Sequence, residues 1–178
     1  NDRGLMNVSF IGHPLIEYAE KEYHLEEFFH KYSIPKEKKR INIQPGSRVQ
    51  EIEKILPHLL QLTEYYKEKN ELIFILPQAE TITKEIWDKY HLEKYPNLIP
   101  VSGKDYYCSL KATDFIITAS GTSTLEAAIF KKPLILVYSV NPITYYLGKY
   151  LVKLPYIGLV NIIAGKQIIP ELIQNDLN

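Results

Sequence analysis

Asp114-Phe115-Ile116-Ile117-Thr118-Ala119-Ser120-Gly121-Thr122-Ser123-Thr124-Leu125-Glu126 runs from an apolar stretch, through a loop of hydroxyls and glycine, into a helical pattern that continues to Lys131. An apolar run with little polar alternation suits a strand covered on both faces. Similar short runs flank it: Ile41-Asn42-Ile43, Leu72-Ile73-Phe74-Ile75-Leu76, Leu98-Ile99-Pro100-Val101 and Leu134-Ile135-Leu136-Val137-Tyr138. Between the first two, Ile52, Ile55, Leu56, Leu59 and Leu62 recur at helical spacing and predict a helix over Val49–Lys69. Pro57 inside it predicts a kink or local break. Further helices are predicted over Ile82–Tyr95, Lys104–Thr113 and Thr122–Lys131. Another is predicted from Pro142, behind Asn141 as N-cap, to Leu154.

Repeated strand–helix alternation predicts an α/β domain, a doubly wound, Rossmann-like parallel sheet with right-handed crossovers. Ligands of such sheets lie beyond the C-terminal ends of the strands. The segments to examine are therefore Gln44–Arg48, Leu76–Glu80, Val101–Lys104, Ala119–Thr124 and Tyr138–Asn141. Residues 41–178 are assigned to this domain. Residues 1–40 read as an inter-domain linker, with a short Val8–Ile11 strand, a Gly12-His13-Pro14 turn and a helix of balanced charge. Pro170–Asp176 reads as the opening of a helix without a C-cap, and Asn1 is not an initiator methionine. Both ends read as cut, so a piece of a longer protein is expected, with no signal peptide.

At 178 residues, 46% of them hydrophobic, the chain is long enough for one independent core. Twenty-one basic residues balance 21 acidic ones, which argues against a general nucleic-acid binder. No apolar stretch is long enough to span a membrane. Cys108 is the one cysteine; it excludes a disulfide scaffold and a thiolate zinc site and fits a reducing compartment.

Two loops carry the chemistry. In Gln44-Pro45-Gly46-Ser47-Arg48, Gly46 permits a tight turn, the helix N-terminus offers free N–H groups, and Arg48 adds a fork suited to phosphate oxygens. The bland reading is a strand-to-helix turn with Ser47 as N-cap and Arg48 solvated. In the Ala119–Glu126 loop, Ser120, Gly121, Thr122 and Ser123 can wrap a diphosphate, and Glu126 can accept ribose hydroxyls. Here the bland reading is a capped helix, with Glu126 closing a capping box on Ser123. Neither a Walker lysine nor a GxGxxG pattern is present, which disfavours a P-loop ATPase or a nicotinamide enzyme.

From Ala127 to Pro170 there are five lysines and no acidic residue. On a wheel of the Pro142 helix, Lys149 and Lys153 share an edge with Tyr145 and Tyr146, which suits a lipid headgroup boundary. The alternative is a domain helix showing a polar edge to water. His13 is the one histidine in a tight turn, a weak catalytic candidate, and no histidine pair has metal-ligand spacing.

Gly12-His13-Pro14-Leu15, Pro45-Gly46-Ser47-Arg48 with Glu51-Ile52, and Ala119–Glu126 are followed by Pro142-Ile143-Thr144-Tyr145 and Leu151-Val152-Lys153. Pro155-Tyr156-Ile157, Asn161–Lys166 and Pro170-Glu171-Leu172 complete the series. In that order and spacing the chain closely resembles the C-terminal half of bacterial lipid-A-disaccharide synthases. The resemblance implies the C-terminal, nucleotide-binding lobe of a two-domain GT-B glycosyltransferase. Such an enzyme joins UDP-2,3-diacylglucosamine to 2,3-diacylglucosamine 1-phosphate with inversion and releases UDP.

The resemblance also implies that neither a metal nor another cofactor is used. The partners would be the UDP-sugar, the acylated glucosamine and a membrane surface, with the protein cytoplasmic and peripheral on the inner face of the inner membrane. By motif, Gly46, Ser47, Arg48, Ser120, Gly121 and Thr122 match the diphosphate site. Glu126 matches a ribose or sugar contact and Asn161 a donor-site residue. The catalytic base is expected in an N-terminal domain outside this sequence, so the isolated chain is expected to be inactive. Gln44 departs from the family's usual leucine before the Pro-Gly-Ser-Arg motif, and Val160 from its usual proline. The alternatives are a UDP-N-acetylglucosamine 2-epimerase-like enzyme and a stand-alone nucleotide-binding domain.

Overall fold

The computed structural model describes residues 13–139 and 155–177. The expected Val8–Ile11 strand and Pro142–Leu154 helix, with Tyr145, Tyr146, Lys149 and Lys153, lie outside the described residues. The strands are β1 (Lys39–Gln44), β2 (Leu72–Gln78), β3 (Leu98–Ser102), β4 (Phe115–Ala119), β5 (Leu134–Tyr138) and β6 (Glu171–Ile173). They form one sheet in the order β3-β2-β1-β4-β5-β6, with every adjacent pair parallel. This is a Rossmann-like doubly wound sheet. Its winding reverses between β1 and β4, where a crevice opens beyond the strand ends.

The helices are α1 (Leu15–Glu20), α2 (Leu25–Lys31), α3 (Val49–Tyr65), α4 (Lys84–Asp88), α5 (Tyr106–Ala112), α6 (Thr122–Ile129) and α7 (Leu159–Ala164). Strand alternation sorts them onto two faces. Phe74 and Leu76 of β2 pack with Ile52, Ile55, Leu56 and Leu59 of α3 and with Trp87 of α4. Ile73 and Ile75 point the other way, toward Phe28 of α2 and Ala112 of α5. On that same side, Leu134 and Leu136 of β5 meet Leu110, Ala127, Val160 and Ile169.

Four expectations are corrected. Helix α3 runs unbroken through Pro57, which overturns the local break of the two expected alternatives; burial of Leu56, Leu59 and Leu60 around the proline outweighs the missing N–H donor. The expected Ile82–Tyr95 helix is split into α4 and a 3₁₀ turn over Leu92–Lys94, because His91 between them takes a left-handed φ of 48°. That turn lets Trp87 and Leu92 reach the same core.

Pro170–Asp176 does not open an α-helix. Glu171–Ile173 pairs with Leu136–Tyr138 as β6, and a 3₁₀ turn over Gln174–Leu177 follows. The stretch before β1 is no solvated linker where it is described: Phe28 and Ile34 are buried, and Lys31 and Tyr32 both hydrogen-bond Asp105.

Candidate functional site

The reversal of winding places the loop after β1 beside the loop after β4, over a cleft of ≈ 560 Å³. That volume falls in the range of roughly 300–1,000 Å³ typical of small-molecule sites. Gly46, Ser47, Arg48, Ser120, Gly121, Thr122 and Glu126 all line it, with Glu80 and Lys104 from the loops after β2 and β3. A second hollow shares Arg48, Ser120 and Gly121 and extends past them to Lys54 and Tyr138.

Two backbone conformations shape the loops. Gly46 has φ +116°, and a Cβ placed there would meet Glu51 Oε2 at 2.3 Å. The position therefore demands glycine by both dihedral and space. This close approach lets the Glu51 carboxylate accept from the N–H groups of Ser47 (2.9 Å) and Arg48 (3.2 Å). Arg48, rather than Ser47, is the N-cap of α3, and its guanidinium donates to Glu51 Oε1 at 2.9 Å. The Arg48 side chain remains 80% exposed. Around the second loop, Gly121 is the N-cap of α6 at φ 143°, again a glycine conformation.

The hydroxyls divide into two sets. Ser123 Oγ lies 2.8 Å from Thr118 Oγ1, and Thr124 Oγ1 donates to the Gly121 carbonyl at 2.9 Å. Both are occupied within the fold, and Ser123 makes no capping box with Glu126. Ser120 and Thr122 line the cleft and have no side-chain hydrogen bond among the described residues, whereas in the first turn of α6 the Thr124 N–H donates to the Gly121 carbonyl.

Glu126 is held from below. Tyr106 Oη donates to its Oε2 at 2.8 Å and Tyr107 Oη to its Oε1 at 3.1 Å. Desolvation, and then the charge of Glu126, pushes the Tyr106 phenol well above its ordinary value. The same causes push Tyr107 up to about 12. Both phenols stay neutral donors near neutral pH. Beneath them, buried Gln44 accepts from Thr118 Oγ1 (2.9 Å) and donates to Asn42 Oδ1 (3.0 Å). Asn42 in turn donates to Ser109 Oγ. Gln44, a departure from the family's usual leucine, thus ties β1 to β4 in the lining of the cleft. Sequence reasoning missed the two tyrosines, because their place on α5 at the third strand end was visible but their approach to Glu126 was not.

Asn161 is not brought to the cleft. It is fully buried, with Oδ1 accepting from the N–H groups of Ile168 (2.7 Å) and Ile169 (3.0 Å). Its Nδ2 donates to the Ile169 carbonyl (2.9 Å) and Glu171 Oε1 (2.8 Å). Each of its polar atoms is engaged in holding α7 to β6. His13 lies on the surface, its Nδ1 accepting from the Leu15 N–H. No cluster of three or more histidine, cysteine or acidic side chains suited to a metal occurs among the described residues.

A family model described as lipid-A-disaccharide synthetase matches residues 1–178. The chain belongs to the lipid-A-disaccharide synthetase family. The lipid-A-disaccharide synthase of Persephonella marina is 39% identical over 176 residues, covering 96% of this chain and 46% of that protein. Its counterpart in a Sulfurihydrogenibium species is 37% identical over 180 residues, again covering 96% and 46%. The chain therefore spans just under half the length of these family members.

Among solved structures, the wall teichoic acid polymerase TagF aligns over 93% of this chain and 40% of its own, with a TM-score of 0.58 at 21% identity. A UDP-GlcNAc 2-epimerase from Methanocaldococcus jannaschii aligns over 74% and 38%, with a TM-score of 0.50 at 17% identity. At these identities the likeness is one of fold: the synthetase-family chain shares a Rossmann-like α/β architecture with these two proteins.

Proposed function

We propose that the chain is the donor-nucleotide half of an inverting hexosyltransferase of lipid A assembly. The proposed reaction joins UDP-2,3-diacylglucosamine to 2,3-diacylglucosamine 1-phosphate and releases UDP. The observation that carries this reading is the convergence of Gly46, Ser47, Arg48, Ser120, Gly121, Thr122 and Glu126 on one cleft at the reversal of the sheet. Helix N-termini, two unengaged hydroxyls and a guanidinium are suited to a diphosphate. Glu126, at the far side of the same cleft, is suited to sugar hydroxyls.

Arg48 is available for this role at small cost. Its exposed ion pair with Glu51 contributes about 0–1 kcal/mol, so a diphosphate can exchange for it. Preorganised donors of this kind supply the electrostatic stabilisation of a departing UDP that a metal gives elsewhere. The base that activates the acceptor hydroxyl is assigned to the part of the protein outside this sequence, so this chain alone is expected to bind UDP without forming disaccharide. Because both sugars are acylated, the working location proposed is the inner face of the inner membrane, reached peripherally. None of the described helices is long and apolar enough to cross a bilayer.

Calorimetric titration with UDP tests the reading. The chain should bind UDP, and Arg48→Ala should weaken binding by roughly 1.5–3 kcal/mol, the contribution of one charge-assisted contact. Equal affinity of the two proteins would reduce Arg48 to a surface residue.

A further inference from the structure

We infer that Tyr106 and Tyr107 are positioning residues that together aim the Glu126 carboxylate into the cleft and make it selective for a vicinal pair of hydroxyls. This rests on the proposed reading of the cleft as a nucleotide site. It adds a function for two side chains whose hydrogen bonds go to Glu126 and Gln44 and to none of Arg48, Ser120 and Thr122 among the described residues.

The argument begins with the capacity of a carboxylate. Ionised, it offers about four lone-pair sites on two oxygens and no proton. Tyr106 occupies one site on Oε2 and Tyr107 one on Oε1. Because the two phenols approach different oxygens, the plane of the carboxylate is fixed, and each oxygen keeps a site for another donor. Two adjacent acceptors of fixed separation match two adjacent hydroxyls and match a single hydroxyl less well.

The tyrosines are themselves held. The Tyr107 ring lies between Tyr18, stacked at 4.5 Å, and Phe130, stacked at 5.8 Å. Tyr106 packs edge-on to Tyr107 at 5.2 Å, and its hydroxyl lies 3.4 Å from the Oε1 of Gln44. Gln44 is locked by Asn42 and Thr118 from opposite ends of its amide. Glu126 is therefore the outer end of a chain of side chains rooted in the sheet, as preorganised recognition requires. A carboxylate with a capping role alone would turn back to the start of α6; Glu126 instead accepts from α5, across the cleft floor.

The test compares UDP with 2′,3′-dideoxy-UDP, which keeps the base and diphosphate and lacks the diol. The wild-type chain should prefer UDP by about tenfold or more, the value of hydrogen bonds to a charged acceptor. In Tyr106→Phe, in Tyr107→Phe and in the double variant, this preference should shrink toward unity while affinity for the dideoxy nucleotide stays near wild type. Glu126→Gln should collapse the preference in the same way. Thermal unfolding confirms that each variant is folded, and partly exposed Tyr107 serves where Tyr106→Phe does not fold.

Equal loss of affinity for both nucleotides, or an unchanged or enlarged preference, would overturn the positioning role and leave the nucleotide site standing. Failure of the wild-type chain to bind either nucleotide would overturn the site and this inference together.

Discussion

Gly46 shows how one residue ties backbone geometry to chemistry. Its φ of +116° and the approach of Glu51 Oε2 leave no room for a side chain. Gly46→Ala should cost about 1–3 kcal/mol through strain and displacement of Glu51, read as a lower melting temperature. The substitution should also free the Ser47 and Arg48 N–H groups from the carboxylate. An unchanged melting temperature would mean that the turn can reshape around a methyl group.

The sequence made this glycine legible, since Pro-Gly-Ser-Arg after an apolar run is a turn with a reason. The phenol–carboxylate contacts were not legible. Tyr106 and Glu126 are twenty positions apart, on different helices, and no local period records their meeting.

At the scale of elements, long buried strands announced themselves and short edge pieces did not. β2 and β5 are runs of Ile, Leu, Phe and Val whose burial on both faces required that composition. β6 has three residues, and Pro170 before it is equally suited to the first position of a helix. What decides in favour of the strand is long-range: the Leu136 N–H donates to the Pro170 carbonyl.

The side chain of Glu171 then closes the turn, accepting from the N–H groups of Ile157 and Gly158 at 3.0 Å each and from Asn161. Glu171→Gln replaces an acceptor oxygen with an amide NH₂ group, itself a donor, facing those donors. It should destabilise the chain by roughly 1.5–3 kcal/mol and speed hydrogen exchange at residues 157 and 158. Wild-type exchange there would show that the carboxylate is dispensable. Asn161 belongs to this same cluster, and its motif match to a donor-site residue remains a proposal whose geometry is that of a brace.

For the whole chain, charge balance sets the terms of the proposed interaction with lipid. With 21 basic and 21 acidic residues there is no net attraction to an anionic bilayer, and any binding must come from a local field. The acid-free span from Ala127 to Pro170 supplies one, with Lys149 and Lys153 beside Tyr145 and Tyr146 on its predicted helix. Each basic residue near an anionic surface contributes about 1 kcal/mol. Salt-sensitive co-sedimentation with anionic vesicles is expected, reduced in Lys149→Glu/Lys153→Glu with UDP affinity retained. Equal sedimentation of both proteins at low salt would assign that edge to ordinary surface.

The contact between Glu51 and the start of α3 also bears on the proposed nucleotide binding. The cleft carries an anion of its own, tethered three residues from Arg48. Simple anions such as inorganic phosphate, which bring one weak set of contacts, gain little by evicting it. A nucleoside diphosphate that also reached Glu126, as proposed, would bring further contacts with which to do so. On the proposed reading, Glu51 is thus a built-in competitor for the N–H groups of Ser47 and Arg48 that any anionic ligand must displace.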